Sequence, residues 1–253
     1  MKRLTDFSRV KEVEAVIICV PTPLNKNREP DISFIIQTGR SIAPHLTKGT
    51  LVVLESTTWE VIQVAKTKPF GFMPFYPGPG LGGHCIPIDP FYLTWKAREF
   101  GQNTRFIELA GEINTAMPKH VVNRTAEALN AQRKSVNGSR VLILGLAYKP
   151  NIDDDRESPS YVLMDILEER GAKVAYYDPY VPVVRPTREH AHWAGLRSES
   201  WNCATLQNFD VVVIATNHQA INYQELADWS PCIVDTRNAM ANMRVIPGQV
   251  WKA

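Results

Sequence analysis

The chain has few cysteines, almost no net charge and no long apolar run. Its four cysteines include no Cys-x-x-Cys pair, so a disulfide framework is not expected. A net charge of +2 gives no electrostatic case for nucleic acid or an anionic membrane as a partner. The longest apolar runs, such as 16–20, are too short to span a bilayer, and residues 1–6 contain no apolar signal region. These absences, in an ordinary globular composition, indicate a cytoplasmic protein.

Two ligand signatures are present only in part. Gly78, Gly80 and Gly83 match the G-x-G-x-x-G spacing, but that motif cradles a pyrophosphate only between a strand and a helix. Here it follows Phe-Tyr-Pro and precedes His-Cys-Ile-Pro, so we reject it as a dinucleotide loop. His190 and His192 alone are too few ligands for a metal site, so a solvated loop is favoured and no metal is expected.

Apolar patterning in the first half of the chain predicts α/β structure followed by a long helix. Near-continuous apolar runs at 13–20 and 51–54 flank a helical pattern at 32–46, which is typical of a β-α-β unit with buried strands. A helical stripe then runs from 107 to 128, with Pro118 as a candidate kink.

The last part of the chain has the pattern of a second α/β unit. The expected elements are a helix over 158–171 and strands over 140–145, 173–177, 210–216 and 232–235. Asp178 follows a strand at the position of a ribose-binding carboxylate, although Gly145 alone represents the glycine fingerprint there. We therefore expect Rossmann-like units over 1–58 and 133–253, joined by a helical region with a cysteine loop over 59–132.

The cysteine loop is the most informative segment of the sequence. Cys85 follows a run of glycines and a proline, and Asp89 comes four positions later. Glycines let the backbone and a bulky ligand approach each other closely, so the thiol could reach a substrate carbon as a nucleophile. A glycine-proline turn with an inert, buried cysteine fits the local string equally well.

Several strings in one order resemble the nucleotide-sugar 6-dehydrogenase family, most closely its branch that oxidises UDP-N-acetylglucosamine or UDP-N-acetylmannosamine. The strings are Val20–Leu24, Glu55–Thr58, Pro77–Pro90, Gly145–Pro150 with Asp155–Ser158, and Val234–Asn238. The resemblance implies that 1–58 belongs to an NAD-binding Rossmann domain and 133–253 to a UDP-sugar-binding domain. It also implies NAD as cofactor, a UDP-N-acetylhexosamine as substrate, a role in polysaccharide biosynthesis, and a homodimer or higher homo-oligomer.

The same resemblance implies a two-step oxidation of a sugar C6 alcohol to the uronate. Cys85 would capture the aldehyde as a thiohemiacetal, which becomes a thioester and is hydrolysed. An aldehyde cannot lose hydride until a nucleophile adds to it, which explains the need for a thiol. Asp89 and Thr57 match residues that handle protons or the hydrolytic water, although a turn-forming aspartate and a strand-end hydroxyl are equally ordinary uses.

Binding residues also follow from the resemblance. NAD would contact Thr22, Thr57 and Arg156, whereas the substrate would contact Tyr76, Gly80, Gly82, Gly83, Lys149 and Arg237. Without the family, Arg156 is better explained by ion pairing with its neighbouring aspartates, and Lys149 by a surface turn.

The sequence departs from the family pattern in two places. No segment supplies the family's glycine fingerprint, and the lysine, asparagine and glutamate that serve catalysis between the Ser-Thr-Thr string and the cysteine loop have no counterpart. Relative to the family the chain thus resembles an N-terminally truncated and internally deleted form. The alternative to an active enzyme is therefore an inactive remnant that binds a UDP-sugar or a partner subunit.

Overall fold

The chain folds into two compact units, Met1–Tyr76 and Pro77–Ala253. The structure, a computed structural model, describes residues 6–18, 33–54, 76–83, 85–186 and 189–253. Within these ranges no helix is both long and apolar enough to cross a membrane. The three-part organisation expected from the sequence remains a prediction.

The described part of the first unit is a parallel β-α-β arrangement. Its elements are β1 (Ala15–Ile18), α1 (Ser33–Ile42) and β2 (Leu51–Leu54), with short 3-10 helices at Phe7–Glu12 and Ala43–His45. Ala15 lies opposite Leu51 in the parallel ladder. The predicted β-α-β unit is confirmed, and both strands end at the same edge of their sheet.

The second unit is built on a five-stranded parallel sheet. Its strands are β3 (Arg140–Leu144), β4 (Lys173–Tyr177), β5 (Val211–Ile214), β6 (Ile233–Asp235) and β7 (Val250–Lys252). The spatial order is β4-β3-β5-β6-β7, with every pairing parallel. The predicted strands are confirmed. β7 was not expected, because Val-Trp-Lys is not a continuous apolar run of the kind that marks the other strands.

Helices cover both faces of this sheet. The helices of the second unit are α2 (Asp89–Glu99), which packs on α3 rather than on the sheet, α3 (Arg105–Ala131), α4 (Pro159–Glu169), α5 (Cys203–Leu206) and α6 (Tyr223–Trp229), with a 3-10 turn at Ala191–Trp193. Side chains of β3 alternate between two cores, because successive residues of a strand point to opposite faces. Val141 packs with residues of α3 and α4, whereas Leu142 packs with residues of α5 and α6.

The long helix α3 continues through Pro118, which is buried. Proline has no N–H, so it cannot donate to the carbonyl of Asn114 four residues earlier. The sequence suggested a kink at this point. In the structure, the loop that contains Gly80 lies beside Asn114.

Candidate functional site

The loops that follow β3, β4, β5 and β6 meet at the carboxyl edge of the five-stranded sheet. The Thr216 hydroxyl donates to the carbonyl of Ala147 at 2.7 Å, which joins the loops after β5 and β3. Arg237 Nε donates to the carbonyl of Ala215 at 2.7 Å, which joins the loops after β6 and β5. In open parallel sheets ligands bind outside this edge, so it is the first place to look for a site.

Asp178 holds the loop after β3 in place. Its Oδ2 accepts from the backbone amides of Leu146 at 2.7 Å and Ala147 at 2.9 Å, and lies 3.0 Å from Nε2 of His218. Its Oδ1 accepts from the amides of Tyr180 and Val181. Burial alone would raise the pKa of Asp178, but these hydrogen bonds hold it below its ordinary value. Asp178 stands where a ribose-binding carboxylate would, yet both of its oxygens are engaged within the protein.

Replacing Asp178 with asparagine should destabilise the second unit. At neutral pH we expect a loss of about 2–4 kcal/mol in the free energy of unfolding, because the amide nitrogen would face backbone donors. The lowered pKa of Asp178 contributes stability that is complete above its ordinary value of 3.8 and is lost as the pH falls through the lower folded-state value. Urea unfolding across this acidic range should therefore show a steeper fall for the wild type, and parallel curves would contradict the assignment.

The glycine loop, residues 78–83, packs tightly against the segment that joins β3 to α4 and against the first residue of α4. A Cβ on Gly82 would lie 2.6 Å from both the Glu157 carbonyl oxygen and the Tyr148 Cβ. Gly83 has a φ of +86°, and a Cβ there would lie 3.0 Å from the Tyr148 ring. Gly80 has a φ of +145°, and a Cβ there would lie 3.0 Å from Pro159. Of the predicted substrate residues, the structure thus brings Gly80, Gly82 and Gly83 beside the segment that carries Lys149.

Asn114 is a site residue that the sequence analysis missed. Its Oδ1 accepts from the backbone amide of Leu81 at 2.8 Å, which fastens the middle of the glycine loop to α3. The backbone carbonyl of Asn114 lies 3.8 Å from where a Cβ on Gly80 would be. The only sequence signal was Pro118, which leaves that carbonyl without its usual helical donor.

Arg237 is half-buried at the sheet edge. Besides the bond to Ala215, its Nη1 donates to the carbonyl of Pro77 at 3.4 Å, and a Cβ on Gly78 would overlap the guanidinium. Burial lowers the pKa of Arg237 to about 10, so the group is still charged at neutral pH. Among the described residues its partners are carbonyl oxygens and it forms no ion pair. A desolvated cation without a counter-charge favours an anionic ligand.

Asp235 fixes the backbone that presents Arg237. Its Oδ1 accepts from the amides of Arg237 at 3.0 Å and Ala239 at 3.1 Å, and its Oδ2 accepts from Met240 at 2.9 Å. The ammonium of Lys252, on β7, lies 3.1 Å from the same carboxylate. The unexpected strand β7 therefore supports the position of Arg237.

Cys85 is exposed at the turn that opens α2. Its carbonyl accepts from the amides of Ile88 at 3.1 Å and Asp89 at 2.8 Å, so Cys85 and Asp89 lie one turn apart. Asp89 is also exposed, in the first turn of the helix. The alternative of a buried cysteine is wrong for Cys85, whose part in the chemistry stays a prediction. That alternative suits Cys232, which is buried and whose thiol pKa is raised by burial to about 11.

The remaining predicted residues are scattered. Lys149 is exposed, immediately after Tyr148. Arg156 is exposed and makes a two-pronged ion pair with Asp154, at 2.8 and 2.6 Å, which is the alternative that the sequence left open. Tyr76 is half-buried at the end of the first unit. Thr22 and Thr57, which were predicted to contact NAD, lie outside the described residues.

His190 and His192, in the segment that follows β4, contact the carboxylate of Asp165 in α4. His190 Nδ1 lies 2.7 Å and His192 Nε2 lies 3.1 Å from the Asp165 carboxylate, which also accepts from the Trp193 indole. The part of the chain that the structure describes contains no group of three or more His, Cys, Asp or Glu side chains suited to a metal ion.

Comparison with protein families assigns most of the chain. Residues 1–67 match the NAD binding domain, residues 51–116 the central domain and residues 142–242 the UDP binding domain of the UDP-glucose/GDP-mannose dehydrogenase family. The chain belongs to this family. Lys149 and Arg237 both lie in the part that matches the family's UDP binding domain, and Cys85 lies in the part that matches its central domain.

Relatives within the UDP-glucose/GDP-mannose dehydrogenase family are named for N-acetylhexosamine substrates. UDP-N-acetyl-D-mannosamine dehydrogenase of Methanococcus vannielii is 32% identical over 202 residues, which cover 77% of this chain and 42% of the relative. UDP-N-acetyl-D-glucosamine 6-dehydrogenase of Pseudomonas aeruginosa is 39% identical over 124 residues, which cover 49% of this chain and 29% of the relative. The chain therefore spans less than half the length of these curated relatives.

Solved structures from the UDP-glucose/GDP-mannose dehydrogenase family share the fold. A UDP-D-ManNAc dehydrogenase from Pyrococcus horikoshii superposes with a TM-score of 0.62 at 20% identity, covering 97% of this chain and 82% of that one. An NDP-N-acetyl-D-galactosaminuronic acid dehydrogenase from Methanosarcina mazei gives 0.59 at 23% identity, covering 98% and 78%. The expected Rossmann-like α/β fold is confirmed.

Proposed function

We propose that this chain binds a UDP-N-acetylhexosamine at the sheet edge of its second unit and oxidises the sugar C6 alcohol to a carboxylate. The observation that carries the proposal is the half-buried, partly desolvated guanidinium of Arg237, which has no counter-charge among the described residues and lies on Gly78 of the loop leading to Cys85. The names of the relatives support an N-acetylhexosamine as the sugar.

Diphosphate binding follows from the charges at this edge. Arg237 is desolvated, so its attraction to a phosphate is stronger than that of an exposed side chain. Lys149 is exposed on the loop after β3 and adds a mobile point charge. The glycine loop lies against Tyr148, next to Lys149, so a nucleotide bound by Lys149 would lie close to the loop that carries Cys85.

The chemistry centres on the exposed thiol. Cys85 Sγ would form a bond to the aldehyde carbon as the carbonyl π bond breaks and its oxygen takes up a proton. Asp89, one turn further on, would accept the thiol proton. The same sulfur is the leaving group when water attacks the thioester, which releases the uronate and restores the thiol. Bound NAD+ supplies the hydride acceptor for both oxidations.

The first unit has the topology that suits this cofactor. β1 and β2 are parallel neighbours whose carboxyl ends lie at one edge, and Thr22 and Thr57 follow those ends in the sequence. In the second unit, Arg156 would exchange Asp154 for a cofactor phosphate, which its exposed position permits. We propose these residues as the NAD contacts.

Calorimetry with UDP and measurement of NADH formation test the proposal together. The purified chain should bind UDP, and should reduce NAD+ with UDP-N-acetylglucosamine or UDP-N-acetylmannosamine at two NADH per sugar. UDP-glucose and GDP-mannose serve as controls for the sugar and the base. UDP binding without NADH formation would favour the inactive, UDP-sugar-binding alternative, and absence of UDP binding by folded protein would overturn both.

We also propose that the chain forms a homodimer or higher homo-oligomer in the cytoplasm. The support is an apolar surface on α2 and α3, where Trp95 is 61% and Phe106 is 89% exposed. Light scattering after gel filtration should give at least twice the chain mass of 28.5 kDa. Phe106→Ser should shift the equilibrium towards monomer, and a monomeric wild type would contradict the proposal.

A further inference from the structure

His218 is a fully buried titratable side chain that the chemistry above does not use. It follows β5 at the sheet edge. Its Nε2 lies 3.0 Å from Asp178 Oδ2, and its Nδ1 lies 3.0 Å from the backbone nitrogen of Asn151. The ring lies 5.1 Å from that of Tyr180, and the Tyr223 hydroxyl donates to the His218 carbonyl.

These contacts select one form of the imidazole. A backbone amide can only donate, so Nδ1 must accept the hydrogen bond from Asn151 and carries no proton. The ring proton is then on Nε2 and is donated to the Asp178 carboxylate. A proton on Nδ1 would put two donors face to face in a site that excludes water.

The two contacts anchor opposite ends of one loop. Asp178 takes the amides of Leu146 and Ala147 at the start, and His218 takes the amide of Asn151 at the end. Asn151 has a φ of +64°, and its Oδ1 accepts from the amide of Gln219 at 2.8 Å. Between the anchors lie Lys149 and Tyr148, whose ring contacts Gly83.

We propose that His218, as the neutral Nε2–H tautomer, is a positioning residue that sets where Lys149 and Tyr148 stand for UDP binding. It touches neither the substrate nor the reacting atoms, and acts through the peptide of Asn151. The Asp178 carboxylate, which also accepts from the amides of Leu146 and Ala147, holds the imidazole in the tautomer that does so. The consequence for UDP rests on the proposed function, whereas the anchoring of the loop can be tested without any ligand.

Two substitutions separate the contacts of His218. In His218→Asn the amide oxygen stands near the place of Nδ1 and keeps the acceptor for Asn151. In His218→Gln the amide nitrogen reaches the place of Nε2 and keeps the donor to Asp178, but the acceptor for Asn151 is lost. We expect UDP affinity to fall roughly tenfold in His218→Gln, and to stay within about threefold of wild type in His218→Asn.

A purely structural role would predict a different result. UDP affinity would then follow the thermal midpoints of the two variants, whichever contact each one keeps. Equal losses of affinity, or a greater loss in His218→Asn, would overturn the proposal. Near-wild-type UDP affinity in His218→Asn, together with weakened affinity in His218→Gln, would support it.

Two measurements on the ligand-free chain keep this result distinct from failure of the proposed function. Long-range nitrogen–proton NMR spectra should show the Nε2–H tautomer, and the Asn151 amide should exchange with solvent faster in His218→Gln than in wild type or His218→Asn. An Nδ1–H tautomer, or unchanged exchange, would overturn the anchoring role. If the wild type does not bind UDP, the proposed function and the consequence for UDP both fall, and the anchoring role is judged on these two measurements.

Discussion

Cys85→Ala is expected to abolish uronate formation and the second NADH per sugar while leaving UDP affinity unchanged. The second hydride can leave the sugar carbon only after a nucleophile has added to the aldehyde. Cys85 is the exposed thiol that follows the glycine loop. Removal of a covalent nucleophile lowers kcat by at least about 10³-fold. UDP affinity should not change, because the cations proposed to bind the diphosphate, Lys149 and Arg237, are retained.

Cys203→Ala is the matched control for this experiment. Cys203 is a free, partly exposed cysteine in the same unit, away from the glycine loop, whereas Cys232 is buried and its loss would confound activity with stability. The rate of uronate formation should be near wild type for Cys203→Ala and at background for Cys85→Ala. A Cys85→Ala chain that forms the uronate at even a tenth of the wild-type rate would exclude Cys85 as the nucleophile.

Arg237→Met is expected to weaken UDP binding far more than it weakens the fold. Loss of one partner from a buried ion pair typically costs about 2–5 kcal/mol, which corresponds to roughly 30- to 5,000-fold in affinity. In the ligand-free chain the guanidinium is desolvated without an ion pair among the described residues, so its removal relieves a penalty. The loss of the hydrogen bond to Ala215 opposes that gain, so stability should change by only about 1 kcal/mol.

Two further variants make the Arg237 experiment specific. Arg237→Lys keeps the charge without the planar fork, and should bind UDP with an affinity between those of wild type and Arg237→Met. Arg244→Met removes an exposed arginine from the same unit and should bind UDP like wild type. Calorimetry should give the UDP affinity, and urea unfolding the stability, of wild type and all three variants. Wild-type affinity in Arg237→Met would place the diphosphate elsewhere.

The strands show which elements of this protein can be predicted from the pattern of apolar residues. β3, β4 and β5 were predicted because each is a run of largely apolar residues, as expected for strands covered on both faces. α2, α5, α6 and β7 were not predicted. β7 has no continuous apolar run, and α5, with four residues, is barely one helical turn. β7 is nevertheless important, since its Lys252 supports the carboxylate that holds the Arg237 backbone.

The sequence motifs of the site were predicted, but the residues that hold its loops in place were not. The strings around Gly82 and Lys149 were assigned to substrate binding from the family resemblance, and the fold brings those segments into contact. Asn114 and His218 were not singled out. Their roles depend on partners 33 and 67 residues away, and no local pattern records such a pairing.

The sequence by itself determined the family, the α/β pattern and Cys85 as the candidate nucleophile, because these depend on local residue order. It placed Arg156 among acidic neighbours but did not show that Arg237 would be desolvated. Only the tertiary structure shows this difference: Arg156 is exposed and paired with Asp154, whereas Arg237 is half-buried against backbone carbonyls. Desolvation, which folding imposes on one guanidinium and not on the other, decides which of the two favours an anionic ligand.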